Sequence, residues 1–237
     1  MNKLFLWHTP LSPYVEKVKM MLREKGLEFE FAVPDGIGTN VSAPLLKANP
    51  RSETPALVDG DVTIFDSTVI CEYIEDKWPE PPLRAATPSG RARARMIEDI
   101  CDTHYEAVNW GLFELNFFNR GKAQGLDQAL LASARADTTI MHDWLEMQLG
   151  SDDWFGGNAF GMADIAVAPF VAGSELHGIN SILIAHSASG LPVCSTAPAL
   201  AARLPNHAPT CLCSPASSAS STPAASSATT ATTASNG

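Results

Sequence analysis

The sequence is short of positive charge. Its 237 residues include 16 Lys and Arg against 26 Asp and Glu, for a formal net charge of −10. A general attraction to nucleic acid or to an anionic membrane needs a basic surface, so this balance argues against such partners. The one basic run, Arg91-Ala-Arg93-Ala-Arg95, spreads its arginines over different faces of a helix and indicates solvated surface with local ion pairs.

Long apolar runs and metal-ligand spacings are lacking too. The N-terminal apolar run, residues 4–7, is far too short for a signal peptide or a membrane span. The five cysteines form no Cys-x-x-Cys or Cys/His spacing typical of zinc, and Cys71 and Cys101 lie in helical patterns where buried thiols are common. We therefore expect a cytoplasmic protein with reduced thiols, no metal and no membrane contact.

The C-terminal part has almost no charged residues. From Leu176 to Gly237 the only charged residue is Arg203, and from Ser214 onward Ser, Ala and Thr dominate. Such a segment has little to bury and nothing to pair, so we predict a disordered low-complexity tail at 206–237. A short helix at Ala197–Leu204 is a candidate element before it.

The first 78 residues alternate strand and helix patterns. Leu4–Trp7 has strand length, Ser12-Pro13 is a helix start, and the apolar spacing after it continues to a stop at Gly26. Phe29–Val33 alternates as a second strand, and strand-helix-strand predicts a parallel pair. A hairpin and a helix follow, which completes a thioredoxin-like α/β arrangement.

A proline-rich stretch separates this part from an all-helical one. Residues 79–89 contain Pro79, Pro81, Pro82 and Pro88 and are interpreted as a linker. Helical spacing then predicts an all-α domain at 90–205, atypical after about residue 175. It includes long helices through Met96–Leu112, Leu126–Leu149 and Met162–Val171.

Residues 53–67 combine two features that suit a ligand. Pro55 opens a short strand and favours a cis bond, Asp59-Gly60 predicts a hairpin turn, and Asp66-Ser67 begins a helix. A helix N-terminus beside an exposed strand edge offers free N–H groups and a positive dipole end. The combination predicts a cradle for a small, anionic, peptide-like ligand.

These motifs resemble the cytosolic glutathione transferases. The resemblance runs over roughly residues 1–175 and rests on Leu11-Ser12-Pro13-Tyr14, Thr54-Pro55 and Asp66-Ser67. It implies glutathione as co-substrate and a homodimer. The resemblance implies that the backbone N–H and C=O of Thr54 pair with the cysteinyl group of glutathione and that Pro55 fixes this strand edge. It also implies that Ser67, with Asp66, holds the γ-glutamyl carboxylate.

Glu53 departs from the family pattern. Relatives often have Gln or Lys at this position, where the side chain meets the glycyl carboxylate of glutathione, and a carboxylate there repels the ligand unless it points away. Arg51 or Lys47 are the candidates for the missing positive charge, with a solvated surface role as the alternative for each.

Ser12 is the predicted thiolate partner. Glutathione reacts as a thiolate, and a free thiol is only about 3% ionised at pH 7. In serine-type relatives the corresponding hydroxyl donates to the sulfur, whereas a plain helix cap is the structural alternative. Tyr14 is the rival donor, with packing as its alternative. The lack of cysteine at position 12 argues against a reductase.

The second-substrate site is predicted more loosely. Asn109, Trp110 and Phe113, with Tyr14, lie where the family has the wall of its electrophile site, and the alternative for these residues is core packing. Farther on, Phe160–Ile165 resembles the family's capped helix start, with Gly161 in place of Ser or Thr and Asp164 reaching back. We interpret it as a folding element.

The sequence therefore predicts a serine-type glutathione transferase that adds the thiolate to small hydrophobic electrophiles. A close alternative is glutathione-dependent ether cleavage or dehalogenation, because Ser-Pro-Tyr-Val with Asp-Ser also resembles bacterial β-etherases. A different alternative is a transferase-like interaction module without activity, such as the stringent-starvation type of transcription partner or an elongation-factor accessory domain. Ser12 and Asp66-Ser67 favour the enzyme, and Glu53 with the atypical C-terminal part favours the module.

Overall fold

A computed structural model describes residues 3–36 and 42–179. The described strands are β1 (Leu4–Trp7), β2 (Phe29–Ala32), β3 (Ala56–Asp59) and β4 (Val62–Phe65). The described helices are α1 (Pro13–Glu24), α2 (Ala43–Ala48), α3 (Ser67–Lys77), α4 (Pro88–Ile100), α5 (Glu106–Asn116), α6 (Asp127–Leu149) and α7 (Met162–Glu175). Within these two ranges no helix is long and apolar enough to cross a membrane.

The strands form one mixed sheet in the order β2-β1-β3-β4. The predicted parallel pair is confirmed, since β1 and β2 run parallel with α1 as their crossover. The predicted hairpin is also confirmed: β3 and β4 pair antiparallel, with Gly60 at a φ of 62° in the turn. The N-terminal part is thus a thioredoxin-like domain, as the fold-class prediction stated.

Helix α1 packs against the sheet through the predicted face. Val15, Val18 and Leu22 are fully buried and join a core with Leu6 and Leu57 from the strands. The same core extends across the domain boundary, because Ile165 and Ala168 of α7 belong to it. The first domain is therefore held against the helical one by continuous apolar packing.

The helical domain contains a turn that the periodicity did not predict. The run through Met96–Leu112 is two helices, α4 and α5, joined by a π-helical turn at Cys101–Tyr105. The wider turn shifts which positions face inward: Ile97 is buried, whereas Met96 is 59% exposed. The predicted helix through Met96–Leu112 is therefore interrupted by the π-helical turn, and Met96 does not face the core.

The proline-rich stretch between α3 and α4 has no helix or strand before Pro88, but it is anchored. The buried Glu75 carboxylate accepts the N–H groups of Leu83 and Arg84 and pairs with Lys25 at 2.6 Å. These bonds fix the path of the chain between the domains. The domain boundaries 1–78, 79–89 and 90–205 stay a prediction, and the Ala197–Leu204 helix and the 206–237 tail lie outside the described residues.

The start of α7 explains its glycine. The Asp164 carboxylate accepts the N–H groups of Gly161 and Phe155, each at 2.9 Å, so the predicted reach-back is present. A Cβ at Gly161 would lie 2.7 Å from the carbonyl oxygen of Leu83, which is bonded to the Met162 N–H. Position 161 is therefore a glycine because the crossing chain leaves no room for a side chain, although Ser or Thr would cap the helix better.

Candidate functional site

Ser12 occupies the N-cap of α1 at the edge of a cleft. The Val15 N–H donates to Ser12 Oγ at 3.3 Å, and Pro13 takes the first helical position, where no N–H is needed. Among the described residues no acceptor is recorded for the Ser12 O–H. The hydroxyl therefore keeps its proton available for a ligand while its oxygen caps the helix.

Thr54 and Pro55 lie just before β3. The Thr54–Pro55 peptide is cis, and the strand ladders begin only at Ala56, so Thr54 stands at the open edge. Its hydroxyl is 2.8 Å from that of Thr9, in the loop that leads to Ser12. This bond links the Thr54 edge to the start of α1.

Asp66 and Ser67 form the start of α3. Asp66 has a φ of 74°, and its carboxylate accepts the N–H groups of Thr68 and Val69 at 3.0 and 3.3 Å. Ser67 is 4% exposed and is the first helical residue. The helix start thus presents a positive dipole end and a serine hydroxyl, a combination that binds carboxylates.

Glu53 is paired at the surface. Its carboxylate contacts the Arg51 guanidinium at 2.8 Å, and both side chains are more than half exposed. The loop that carries them is held by the buried Asn49, which donates to the Glu53 carbonyl and accepts the Arg51 N–H, each at 2.9 Å. Arg51 therefore offsets the negative charge of Glu53, the residue at which the resemblance implies a contact with the glycyl carboxylate.

A buried charge cluster lies beneath the α3 start. Lys17 Nζ, on a side chain 1% exposed, contacts Glu98 at 2.6 Å and Asp102 at 2.7 Å. The Thr68 hydroxyl donates to the same Glu98 oxygen at 2.8 Å. Burial lowers the pKa of Lys17, but the two carboxylates raise it by more, so that the ammonium stays charged. The cluster joins α1, α3 and the α4–α5 segment at one point.

A cleft of about 240 Å³ separates Ser12 from the helical domain. Its floor is the start of α1, and its far wall is made by α5 and α7. Most of the lining is apolar and comes from Pro10, Leu11, Trp110, Phe113, Pro169 and Leu176. Such a lining suits a small hydrophobic molecule next to a few polar groups.

The three predicted wall residues all line this cleft. Asn109 is 7% exposed and donates from Nδ2 to the Phe170 carbonyl at 2.8 Å, which holds α5 against α7. Trp110 is 46% exposed and stacks on Phe113 with the two rings 5° from parallel. The aromatic pair is therefore partly open surface and not only core.

Tyr14 lies elsewhere. Its hydroxyl donates to the Asp102 carbonyl at 2.8 Å, and its ring meets Phe170 edge to face. Burial, with the nearby Glu106 and Asp102 carboxylates, raises the pKa of Tyr14 above its ordinary value. These contacts place Tyr14 between the domains, outside the cleft lining, as packing predicts.

Four residues of the site escaped the sequence analysis. Thr9 and Asn49 act only through contacts that folding creates, and no sequence pattern marks them. His177 lines the cleft, with Nδ1 3.0 Å from Asn116 Nδ2, and burial, with Arg135, lowers its pKa to about 4. Glu106 lines the cleft as well, and burial, with Asp102, raises its pKa to about 7.

Comparison with known proteins identifies the family. Residues 6–82 match the glutathione S-transferase N-terminal domain, and residues 141–175 match the C-terminal domain. Glutathione S-transferase U28 of Arabidopsis thaliana is 32% identical over 165 residues, which are 67% of each chain. A stringent starvation protein A homolog of Coxiella burnetii is 36% identical over 92 residues, 39% of this chain and 43% of that protein.

The fold agrees with the sequence matches. A glutathione S-transferase from Rhodospirillum rubrum F11 superposes with a TM-score of 0.70 at 25% identity, covering 82% of this chain and 91% of that one. The chain belongs to the glutathione S-transferase family, whose co-substrate is glutathione. Among residues 3–36 and 42–179, no group of three or more His, Cys, Asp or Glu side chains could hold a metal ion.

Proposed function

We propose that this protein conjugates the glutathione thiolate to small hydrophobic electrophiles, with Ser12 as the thiolate partner. The observation that carries the proposal is the position of Ser12 at the edge of the apolar cleft, with its hydroxyl proton uncommitted. Glutathione lies along Thr54, Pro55, Asp66 and Ser67 in this proposal. The electrophile occupies the cleft against Asn109, Trp110 and Phe113.

The chemistry needs a modest stabilisation of the thiolate. Lowering the thiol pKa by about two units amounts to roughly 2.7 kcal/mol. A hydrogen bond to a charged group supplies about 1.5–3 kcal/mol, and the N-terminus of α1 adds to it. Binding both reactants in one cleft then makes their encounter effectively intramolecular.

Conjugation of an aryl halide tests the role of Ser12. Ser12→Ala removes the donor to sulfur and should lower the rate at least about tenfold with glutathione still bound, since the lost hydrogen bond is worth about 1.5–3 kcal/mol. Thr87→Ala is a matched control, because Thr87 caps α4 in the same way, with Pro88 after it and the Gly90 N–H donating to Oγ at 3.1 Å.

Loss of either cap destabilises the fold by about 1 kcal/mol. Only a loss of rate in Ser12→Ala that Thr87→Ala does not share therefore reports on the chemistry. If both variants lose rate equally, or if neither does, Ser12 is not the thiolate partner. Glutathione binding, measured by calorimetry for each variant, separates a lost cradle from a lost donor.

The second candidate function is an interaction module without activity. Its support is the partial match to a stringent starvation protein A homolog. If this chain acts only as an interaction module, its role does not require glutathione binding. Retention on a glutathione resin, released by free glutathione, supports the enzyme. Failure to be retained, with no conjugation of an aryl halide, supports the module.

We also propose a homodimer, a cytoplasmic location and a detoxifying role. For the dimer, the support is apolar surface on adjacent elements of the first and second domains: Val69 of α3 is 53% exposed and Met96 of α4 is 59% exposed. Large apolar side chains exposed on neighbouring helices favour association. Sedimentation equilibrium that returns only the 25.3 kDa monomer would refute the dimer.

A further inference from the structure

Glu106 enters the cleft wall directly after an irregular turn. The π-helical segment Cys101–Tyr105 ends at this residue, and Glu106 begins α5. A π-helical turn displaces the residues that follow it around the helix axis, and such turns are frequent at functional sites. Here the displaced start of α5 lines the same cleft as Ser12.

The Glu106 carboxyl has no partner among the residues that the structure describes. Among residues 3–36 and 42–179, no hydrogen bond or ion pair to it is recorded. Glu16 lines the same cleft, but its carboxylate pairs with Lys19 at 2.7 Å. A half-buried carboxyl left without a donor is stable in its neutral form, or when a ligand satisfies it.

The charged and titratable groups around Glu106 come from every element packed near it. They are His8 after β1, Tyr14, Glu16, Lys19 and Arg23 of α1, Asp102 of the π-helical turn, and His177 after α7. Burial and the Asp102 carboxylate raise the pKa of Glu106 to about 7. The group therefore holds a transferable proton near neutral pH.

We propose that Glu106 is a general acid in this cleft, used when addition of the thiolate leaves a carbanion or enolate that must take up a proton, as with α,β-unsaturated carbonyl compounds. The inference rests on the proposed function, since it needs the glutathione thiolate as nucleophile. It adds a catalytic residue to that chemistry, and an aryl halide is the matched comparison because it expels its leaving group as an anion and needs no proton.

The proposed step balances in atoms and charge. The thiolate sulfur forms a bond to the β-carbon, the C=C π electrons move to the α-carbon and carbonyl oxygen, and the resulting enolate takes the proton of Glu106. The product is the saturated thioether, and Glu106 is left as a carboxylate. The proton that glutathione lost on ionisation returns to Glu106 through water in the open cleft.

The test compares two electrophiles in one protein. The rate with an α,β-unsaturated ketone is divided by the rate with an aryl halide, each corrected for the uncatalysed reaction. Thiolate formation enters both rates and cancels in this ratio. Glu106→Gln should lower the ratio at least about tenfold, within the range that general acids contribute, and Glu106→Asp should restore part of it.

The pH dependence of this ratio in the wild-type protein is a second test, and it does not require a variant. In the wild-type protein the ratio should fall as the pH rises through about 7, because Glu106 loses its proton there. In Glu106→Gln the ratio should not change with pH. Asp99→Asn is the charge-matched control, since Asp99 is exposed on α4 outside the cleft lining.

The outcomes separate the two proposals. If conjugation of the aryl halide depends on Ser12, but the ratio of the two rates changes neither in Glu106→Gln nor with pH, only the role of Glu106 is overturned. No conjugation of either electrophile overturns the proposed function and this inference together. If Glu106→Gln does not fold, a flat wild-type pH profile is enough to reject the general acid.

Discussion

Among the described charged residues near the site, Lys17 should be the one whose removal lowers the free energy of unfolding most. Its ammonium is the shared partner of two carboxylates, the buried Glu98 at 2.6 Å and the partly buried Asp102 at 2.7 Å. Lys17→Met keeps the length of the side chain but leaves both carboxylates without their cation. Breaking a buried ion pair by removing one partner costs about 3–5 kcal/mol, and we expect a loss of that size in the free energy of unfolding.

The assay is urea unfolding at pH 7.5, with Lys19→Met as the matched control. Lys19 lies on the same helix, and among the described residues its ammonium contacts one carboxylate, that of Glu16 three residues before it, and lies 5.7 Å from the centre of the Phe31 ring. An ion pair three residues apart on one helix contributes about 0.2–0.5 kcal/mol, and a cation–π contact adds about 0.5–1 kcal/mol. Adding Asp102→Asn to Lys17→Met should recover part of the lost stability, since it removes one of the two carboxylate charges that are left without a cation.

The pH dependence has a definite sign. Burial raises the pKa of Asp102, although Lys17 opposes the rise. A carboxyl whose folded pKa lies above its unfolded value favours the folded state at low pH, and this contribution is lost as the pH rises through the folded pKa. Without Lys17 the rise is larger, so the deficit of Lys17→Met should shrink on acidification.

The charge cluster also has a functional readout. Thr68 shares the Glu98 oxygen, and Thr68 is the second residue of the helix whose start holds the predicted carboxylate site. Lys17→Met should therefore weaken glutathione binding, whereas Lys19→Met should not do so through this route. A loss of stability below about 1 kcal/mol, equal to that of Lys19→Met, would refute the argument.

Two further predictions concern the start of α7. Capping preferences expect Gly161→Ser to stabilise the helix slightly, but the Leu83 carbonyl lies 2.7 Å from the position of the new Cβ. We expect a lower melting temperature instead, and a higher one would show that the chain crossing can relax. Burial raises the pKa of Asp164 to about 6, so its carboxyl favours folding at low pH, and this contribution is lost as the pH rises through about 6. The stability advantage of wild type over Asp164→Asn should then decrease by up to about 3 kcal/mol between pH 4 and pH 7, as urea unfolding at both pH values would measure.

The sequence determined the elements, and it predicts the ligand cradle, because the signals for both are local. Ser12-Pro13 defines a helix start, Asp59-Gly60 a hairpin, and Asp66-Ser67 a second helix start, and each needs only its neighbours along the chain. Strand-helix-strand order then fixed the parallel pair through the handedness of crossovers. The fold class followed from these signals and the structure confirms it.

Only the tertiary structure decided what lies across the cleft and between the domains. Glu106, His177 and Asn49 take their environments from residues distant in sequence, and periodicity does not show the π-helical turn that shifts α5. The same holds for Lys17, which the sequence presents as an ordinary helical lysine and the fold buries between two carboxylates. Burial and charge proximity arise when separate elements pack together, so local patterns determine the elements, and their packing determines the chemistry of the groups that meet.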